Sequence, residues 1–357
     1  MPPFLRPKGH PGSKVGSGPS LSQRADPAAT SQARHVSLSA VVINPARTSN
    51  RRALRRSIVN TLAADGWAEP LWLETTHSDR GDGAARAALA AGAEVVFVCG
   101  GDGTVGAVAS ALADSGAALA MIPSGTGNLL ALNLGVPGSV VDAVRLATRG
   151  GRRQIDLGRV EGRFFTVATG IGLDAQMLAE TPRRAKHRLG WPAYAAGVLR
   201  HLLEPRFPTW ISLDGGPEME REVRSVLVAN VGRLPGGIHL LRAAAPDDGM
   251  LDVALISPSR ILDWARLLAS FVGRKTERDG LETFQARRVE IRADGPQPRE
   301  VDGDPLPPGR SLVVEIRTAA LTVCVAPVYA SSPGQSSRPL VDRRSDPSST
   351  PGKVRVD

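Results

Sequence analysis

Two glycine-rich segments carry the residues best suited to chemistry. Gly100, Gly101, Asp102, Gly103 and Thr104 end the apolar run AEVVFVC, and Pro123, Ser124, Gly125, Thr126, Gly127 and Asn128 end the run ALAMI. Glycines let the backbone approach a ligand and take positive φ, and the N–H groups at a helix start favour an anion, so the first segment predicts a phosphate site. A carboxylate there repels phosphate unless it meets a magnesium ion or a sugar hydroxyl, so Asp102 points to a metal–nucleotide site. A tight strand-to-helix turn with a capping Asp is the alternative. Thr126 and Asn128 offer neutral donors suited to phosphate or adenine. Asn44, before Pro45, offers another, or serves as a simple turn residue. Two adjacent parallel strands that both end in glycine loops form a crevice at the carboxyl edge of a sheet, where open α/β sheets hold ligands.

The acidic triplets Asp247-Asp248-Gly249 and Asp302-Gly303-Asp304 read by themselves as turns. The P-loop, dinucleotide and protein-kinase signatures do not occur.

The elements that must position these residues follow from the apolar pattern. From residue 36 short apolar runs alternate with helical stretches, as in a parallel sheet with covering helices. Strands are expected at 38–45, 71–76, 93–100 and 118–123, and helices at 50–64, 81–92, 105–113 and up to 134. After Gly150 the texture changes to short β-rich runs with turn residues, which suggests a β-sandwich interrupted by helical insertions near 183–203 and 259–273. The expected architecture is an α/β Rossmann-like N-terminal domain over 36–155 and a β-sandwich domain over 156–317. A strand at 318–330 is expected to return to the first domain.

The chain has 357 residues, 42% of them hydrophobic, enough to give each domain a core. Residues 1–35 and 331–357 lack apolar periodicity and read as disordered tails. They hold five Lys/Arg against one Asp and five against three, so only +3 of the formal +9 falls on the folded part. That excess does not call for a nucleic-acid surface. No run of 18 apolar residues and no apolar signal core occur, which predicts a cytoplasmic protein. Cys99 and Cys324 have neither metal-ligand spacing nor a disulfide framework.

In these motifs the sequence resembles the bacterial diacylglycerol kinases, which share a superfamily with sphingosine and NAD kinases, and within them an actinobacterial-looking branch. The resemblance rests on GGDGT (100–104) and the P-x-G-T-x-N of 123–128. It continues through IDLG (155–158), TGIGLDA (169–175), LGWPAY (189–194), PDDGMLDV (246–253) and VDGDP (301–305). It implies an ATP site at a cleft between the two domains, from Asn44 with Pro45, Thr75, Thr76, Gly100, Gly101, Asp102, Gly103, Thr104, Gly125, Thr126 and Asn128, with Asp102 near the phosphates and Mg2+. It also implies a metal site at Asp248 with the carbonyls of Ala245 and Met250, outside the reaction centre. The catalytic base falls on the Asp302/Asp304 pair, where Asp304 stands for the family's usual Glu; either can be the base. Gly106-Ala107 replaces the usual Asn-Glu, and Arg242 stands where Pro is common. Asp156 matches an acidic position near the cleft, and Asp174 reads as structural.

The implied activity is transfer of the ATP γ-phosphoryl group to a lipid hydroxyl, with diacylglycerol as acceptor and phosphatidate as product in phospholipid biosynthesis. A kinase for NAD, a sphingoid base or a polyprenol, and a catalytically silent binding homologue, are the alternatives. Arg183, Arg184, Lys186 and Arg188 precede Trp191, Tyr194, Val198, Leu199 and Leu202. Such a segment suits an anionic membrane interface, here the inner face, or a helix packed on the sandwich with a solvated basic end. No specific nucleic-acid partner is expected, and a homodimer is one option for assembly.

Overall fold

A computed structural model of the chain describes residues 38–48, 50–76, 79–172, 205–234, 238–260, 262–264, 266–267 and 280–327. The two expected tails, the basic–aromatic segment 183–203, Asp174 and most of the second insertion lie outside them.

The first domain runs β1 (Ser39–Ile43), a 3₁₀ turn (Pro45–Arg47), α1 (Arg51–Ala64), β2 (Leu71–Glu74), α2 (Asp82–Ala90), β3 (Val95–Gly100), α3 (Asp102–Leu112), β4 (Ala118–Pro123), α4 (Leu129–Asn133) and α5 (Val140–Arg149). Strands β2, β1, β3 and β4 pair in parallel in that order. Their central members are unbroken apolar runs because helices cover both faces. Ile58 and Leu62 of α1 and Val144 and Ala147 of α5 pack on one face, while Ala85 and Ala88 of α2 and Val108 and Leu112 of α3 pack on the other. Helix α1 begins where the Asn50 side chain accepts the Ala53 N–H at 3.1 Å.

The remaining elements are β5 (Gly151–Val160), β6 (Arg163–Phe165), β7 (Ala168–Gly172), β8 (Phe207–Leu213), β9 (Met219–Val223), β10 (Ser225–Ala229), β11 (Arg233–Leu234), β12 (Ile238–His239), β13 (Leu251–Ile256), β14 (Leu281–Ala286), β15 (Arg288–Val301) and β16 (Asp304–Val325). Strand β15 pairs with β8 over residues 289–293 and with β7 over 299–301, with register shifts against β16 between the two stretches. The strand thereby passes from one layer to the other. Both layers close on one core that includes Phe165, Ile171, Ile211, Val226, Val253, Val289 and Leu312. This is the β-sandwich-like second domain.

Strand β16 joins the domains. It pairs antiparallel with β15 and β5, and then parallel with β4 through Thr322 and Val323, adding a strand to the first domain's sheet. The transition is a register shift between Arg317 and Leu321, where Ala319 takes φ 52°.

Candidate active site

Every candidate ligand residue of the first domain lies at the carboxyl ends of β1, β2, β3 and β4. Asn44 leaves β1; its side-chain oxygen accepts the Ala46 N–H at 3.0 Å, and its amide donates to the Thr104 hydroxyl at 3.2 Å. Pro45 opens the short turn that follows. Thr75, beyond β2, is buried, and its N–H bonds the Ile43 carbonyl at 2.9 Å. Gly81 sits against Thr104, Thr75 and Val108: a Cβ added there lies 3.5 Å from the first two and 3.0 Å from the third. Thr76 is exposed, and its hydroxyl accepts the Asp79 N–H at 3.1 Å. Asn44, Thr75, Gly81 and Thr104 thus form one floor beneath the start of α3.

Helix α3 begins at Asp102, three residues before the expected start at Val105, so Gly101 is its N-cap residue and no side chain caps it. The helix therefore presents its first N–H groups and the positive end of its dipole to the crevice. Gly100 is required because a Cβ there falls 2.6 Å from the Thr104 side chain.

The Asp102 carboxylate crosses to the second loop. Oδ2 accepts the Asn128 N–H at 2.9 Å, and Oδ1 accepts the Leu129 N–H at 2.5 Å. It caps α4 from another element and ties the two glycine loops together; each oxygen keeps a lone pair for a cation. Asp102 thus does not cap its own helix, as the turn alternative expected, but the start of a helix more than twenty residues downstream. The loops also meet backbone to backbone: a Cβ on Gly125 would lie 2.6 Å from the Gly101 Cα, and one on Gly127 would lie 2.7 Å from Asp102 Oδ2. Asn128 takes φ 48° and spends its amide inside the loop, accepting from Gly125 N at 3.0 Å and donating to Gly125 O at 2.9 Å. Its side chain shapes the loop and uses one of its two amide hydrogens in doing so. Thr126 is exposed at the loop tip.

Asp302 and Gly303 form the tight turn between β15 and β16, with φ 46° and 79°. The two acidic residues of this motif have different environments. Asp302 Oδ1 accepts the N–H groups of Val167 (2.8 Å) and Ala168 (3.1 Å), and Oδ2 accepts the Thr166 N–H (2.8 Å) and hydroxyl (3.0 Å). Burial pushes this carboxyl above the ordinary range, and the four donors pull against that. Gly106 lets α3 approach it, since a Cβ there would stand 3.1 Å from Oδ2. Asp304 is part-exposed and meets Arg80, from the turn before α2, and Arg163, the first residue of β6, at 3.8 Å. Neither arginine was singled out in the sequence; the clue available was an Arg immediately before Gly81 in a turn.

The 245–250 turn lies elsewhere. The buried Asp156 accepts the Gly249 N–H and the Ala319 N–H, each at 2.7 Å, and Ala320 O accepts the Asp114 N–H at 2.7 Å, just past the end of α3. Asp156 therefore braces this turn against β16 on the side of α3 opposite the glycine loop, a helix length of about 16 Å away. Asp248 is exposed and accepts the Met250 N–H at 3.0 Å. Beside it Asp252 is buried with Oδ2 unpartnered among the described residues, and burial, with the Asp248 charge adding to it, pushes its carboxyl up to about 6. An orphaned carboxylate oxygen beside a second carboxylate fits a bound hard cation. Asp248 and the carbonyls of Ala245 and Met250 would hold it.

Residues 39–160 match the diacylglycerol kinase catalytic domain family, and residues 166–325 match the YegS C-terminal NAD kinase beta sandwich-like domain. A protein of Pseudomonas fluorescens named "Probable lipid kinase YegS-like" is 34% identical, the alignment covering 75% of this chain and 89% of that protein. One of the same name from Pseudomonas savastanoi pv. phaseolicola is 32% identical over 72% and 83%. A crystal structure of a diacylglycerol kinase from Bacillus anthracis superposes with a TM-score of 0.64 at 22% identity, over 81% of this chain and 96% of that one, a likeness of fold. With two glycine loops clamped over an uncapped helix start and both of its domains matched, the chain belongs to the YegS-like lipid kinase family, a diacylglycerol kinase catalytic domain followed by a YegS C-terminal domain.

Proposed function

We propose that this chain transfers the γ-phosphoryl group of ATP to the hydroxyl of diacylglycerol, giving phosphatidate, at the inner face of the membrane. The observation that carries the nucleotide half is the uncapped start of α3, set against the second glycine loop by Asp102. The N–H groups there receive the phosphates, and the glycines at 101 and 125 let the second loop close against the helix start. Magnesium would supply charge neutralisation of the triphosphate, and Asp102, with a lone pair left on each oxygen, would hold it.

Asp304 is the base in this reading because Asp302 spends both oxygens on residues 166–168. The acceptor O–H gives its proton to Asp304, its oxygen forms the new O–P bond, and the bond between the γ-phosphorus and the bridging oxygen breaks to release ADP. A base so placed contributes about 10²- to 10⁴-fold. A second cation at the 245–250 turn would be held by Asp248 and the carbonyls of Ala245 and Met250, and would supply charge that ties the turn together. Among the described residues no helix is long and apolar enough to cross a membrane.

The test is transfer of label from γ-labelled ATP with magnesium to micellar diacylglycerol, a sphingoid base, a polyprenol and, in solution, NAD. Labelled phosphatidate supports the reading; label on another lipid keeps the class and changes the acceptor. Label on NAD alone, or none on any acceptor, overturns it.

A further inference from the structure

Two arginines converge on one oxygen of Asp304. Arg80 and Arg163 both approach Oδ2, from elements that are otherwise unrelated, a turn of the first domain and a strand edge of the second. Among the described residues Oδ1 accepts no hydrogen bond. The ion pairs have little value for stability, because the Arg80 and Arg163 side chains are 55% and 53% exposed, and exposed pairs contribute about 0–1 kcal/mol. The backbone nevertheless supports the contact at a cost: Arg80 takes φ 48° and Gly81 takes φ 122°, a left-handed excursion that an L side chain adopts unwillingly.

The contact has a geometric consequence. The terminal torsion of an aspartate is broad and two-fold, so an untethered carboxylate exchanges its oxygens and swings over a wide arc. A planar guanidinium on one oxygen removes that freedom and determines which oxygen is left for the substrate. The side chain here is also one methylene shorter than the glutamate of the family motif, so its reach depends more strictly on where it is held.

We propose that Arg80, assisted by Arg163, is a positioning residue that grips Asp304 by Oδ2 and presents Oδ1 to the acceptor hydroxyl, supplying the placement that a longer glutamate achieves by reach. The proposal rests on the reading of Asp304 as the base. It makes Arg80 a link between the domains, since the turn carrying it also packs Gly81 on Thr104 beneath the phosphate loop.

The experiment is steady-state kinetics of wild type, Arg80→Ala, Arg163→Ala, Asp304→Glu, Asp304→Asn and the double variant Arg80→Ala/Asp304→Glu, with circular dichroism melts as a check of folding. Arg80→Ala is expected to lower kcat about 10- to 100-fold, the scale of a misplacement of about 1 Å, with KM for ATP within about twofold and an unchanged melt. Asp304→Glu in that background restores most of the lost kcat, because the longer arm no longer needs the grip. Wild-type kcat in both arginine variants, or no recovery in the double variant, overturns the proposal. A raised KM for ATP at unchanged kcat also does so, by making Arg80 a phosphate ligand. Full turnover in Asp304→Asn instead removes the base reading itself, and the proposal with it, whatever the arginine variants do.

Discussion

Replacing Asp102 with Asn separates two roles that the same residue can play. Its carboxylate accepts one N–H on each oxygen, from Asn128 at 2.9 Å and Leu129 at 2.5 Å. An asparagine keeps one acceptor oxygen and turns an NH2 group toward the other N–H, so one charge-assisted bond becomes a donor facing a donor. Hydrogen bonds to charged groups contribute about 1.5–3 kcal/mol net, and the abandoned N–H adds its own desolvation cost of about 1–3 kcal/mol where it stays dry. The partly exposed loop permits some rescue by water, so the expected loss of stability is about 2–3 kcal/mol in protein without nucleotide or metal. Urea unfolding of the first domain, followed through the fluorescence of Trp67 and Trp72, both packed against its core, measures it. The reasoning is refuted if Asp102→Asn leaves the unliganded transition where it was while abolishing turnover, for then the carboxylate serves only the metal or nucleotide.

Gly125→Ala is expected to reduce ATP affinity at least about 100-fold, because its Cβ would lie 2.6 Å from the Gly101 Cα and the two loops must part by about 1 Å; Gly138→Ala, with nothing within 4 Å, leaves calorimetric binding unchanged. Asp302→Ala removes an acceptor from four donors and is expected to cost about 3–5 kcal/mol, read from the thermal midpoint of the second domain. Asp252 gives a pH dependence. Its folded value of about 6 exceeds the ordinary 3.8, so its contribution is complete below about pH 4 and lost as pH rises through 6. Metal-free protein in chelator should lose about 2–3 kcal/mol over that interval, Asp252→Asn should flatten the profile, and millimolar magnesium should restore stability at pH 7.

Much of the fold was legible because local pattern and tertiary role agree. Unbroken apolar runs such as VVFVCG suit strands covered on both faces, and the glycine clusters fall directly after β3 and β4, as the pattern places them. Elements were missed where the pattern was overlooked or overruled. Helix α5 was not anticipated, although Ser139 caps it at the Asp142 N–H and Val140, Ala143, Val144 and Ala147 line one face. Helix α3 starts three residues before the expected Val105 because Gly103 argues against helix, whereas the buried Thr104 in the first turn holds the segment in one. Most of the site's wiring was illegible for a different reason. Asp102 meets residues 26 and 27 positions away, and Arg80 meets Asp304 across 224, distances that local spacing does not report. Asp302 and Asp304 are equivalent by sequence; the hairpin geometry turns the first inward onto residues 166–168 and leaves the second part-exposed against Arg80 and Arg163.

The most direct test of the account follows the oxygen isotopes of the transferred group. Diacylglycerol in mixed micelles is incubated with ATP carrying 18O in its γ-phosphoryl group, and the lipid product is weighed by mass spectrometry for wild type and for Asp304→Asn. The account predicts phosphatidate retaining three labelled oxygens, with the bridging oxygen contributed by the lipid, formed by the variant at least about 100-fold more slowly. Unlabelled phosphatidate, no phosphatidate, or equal rates for the two proteins would contradict it.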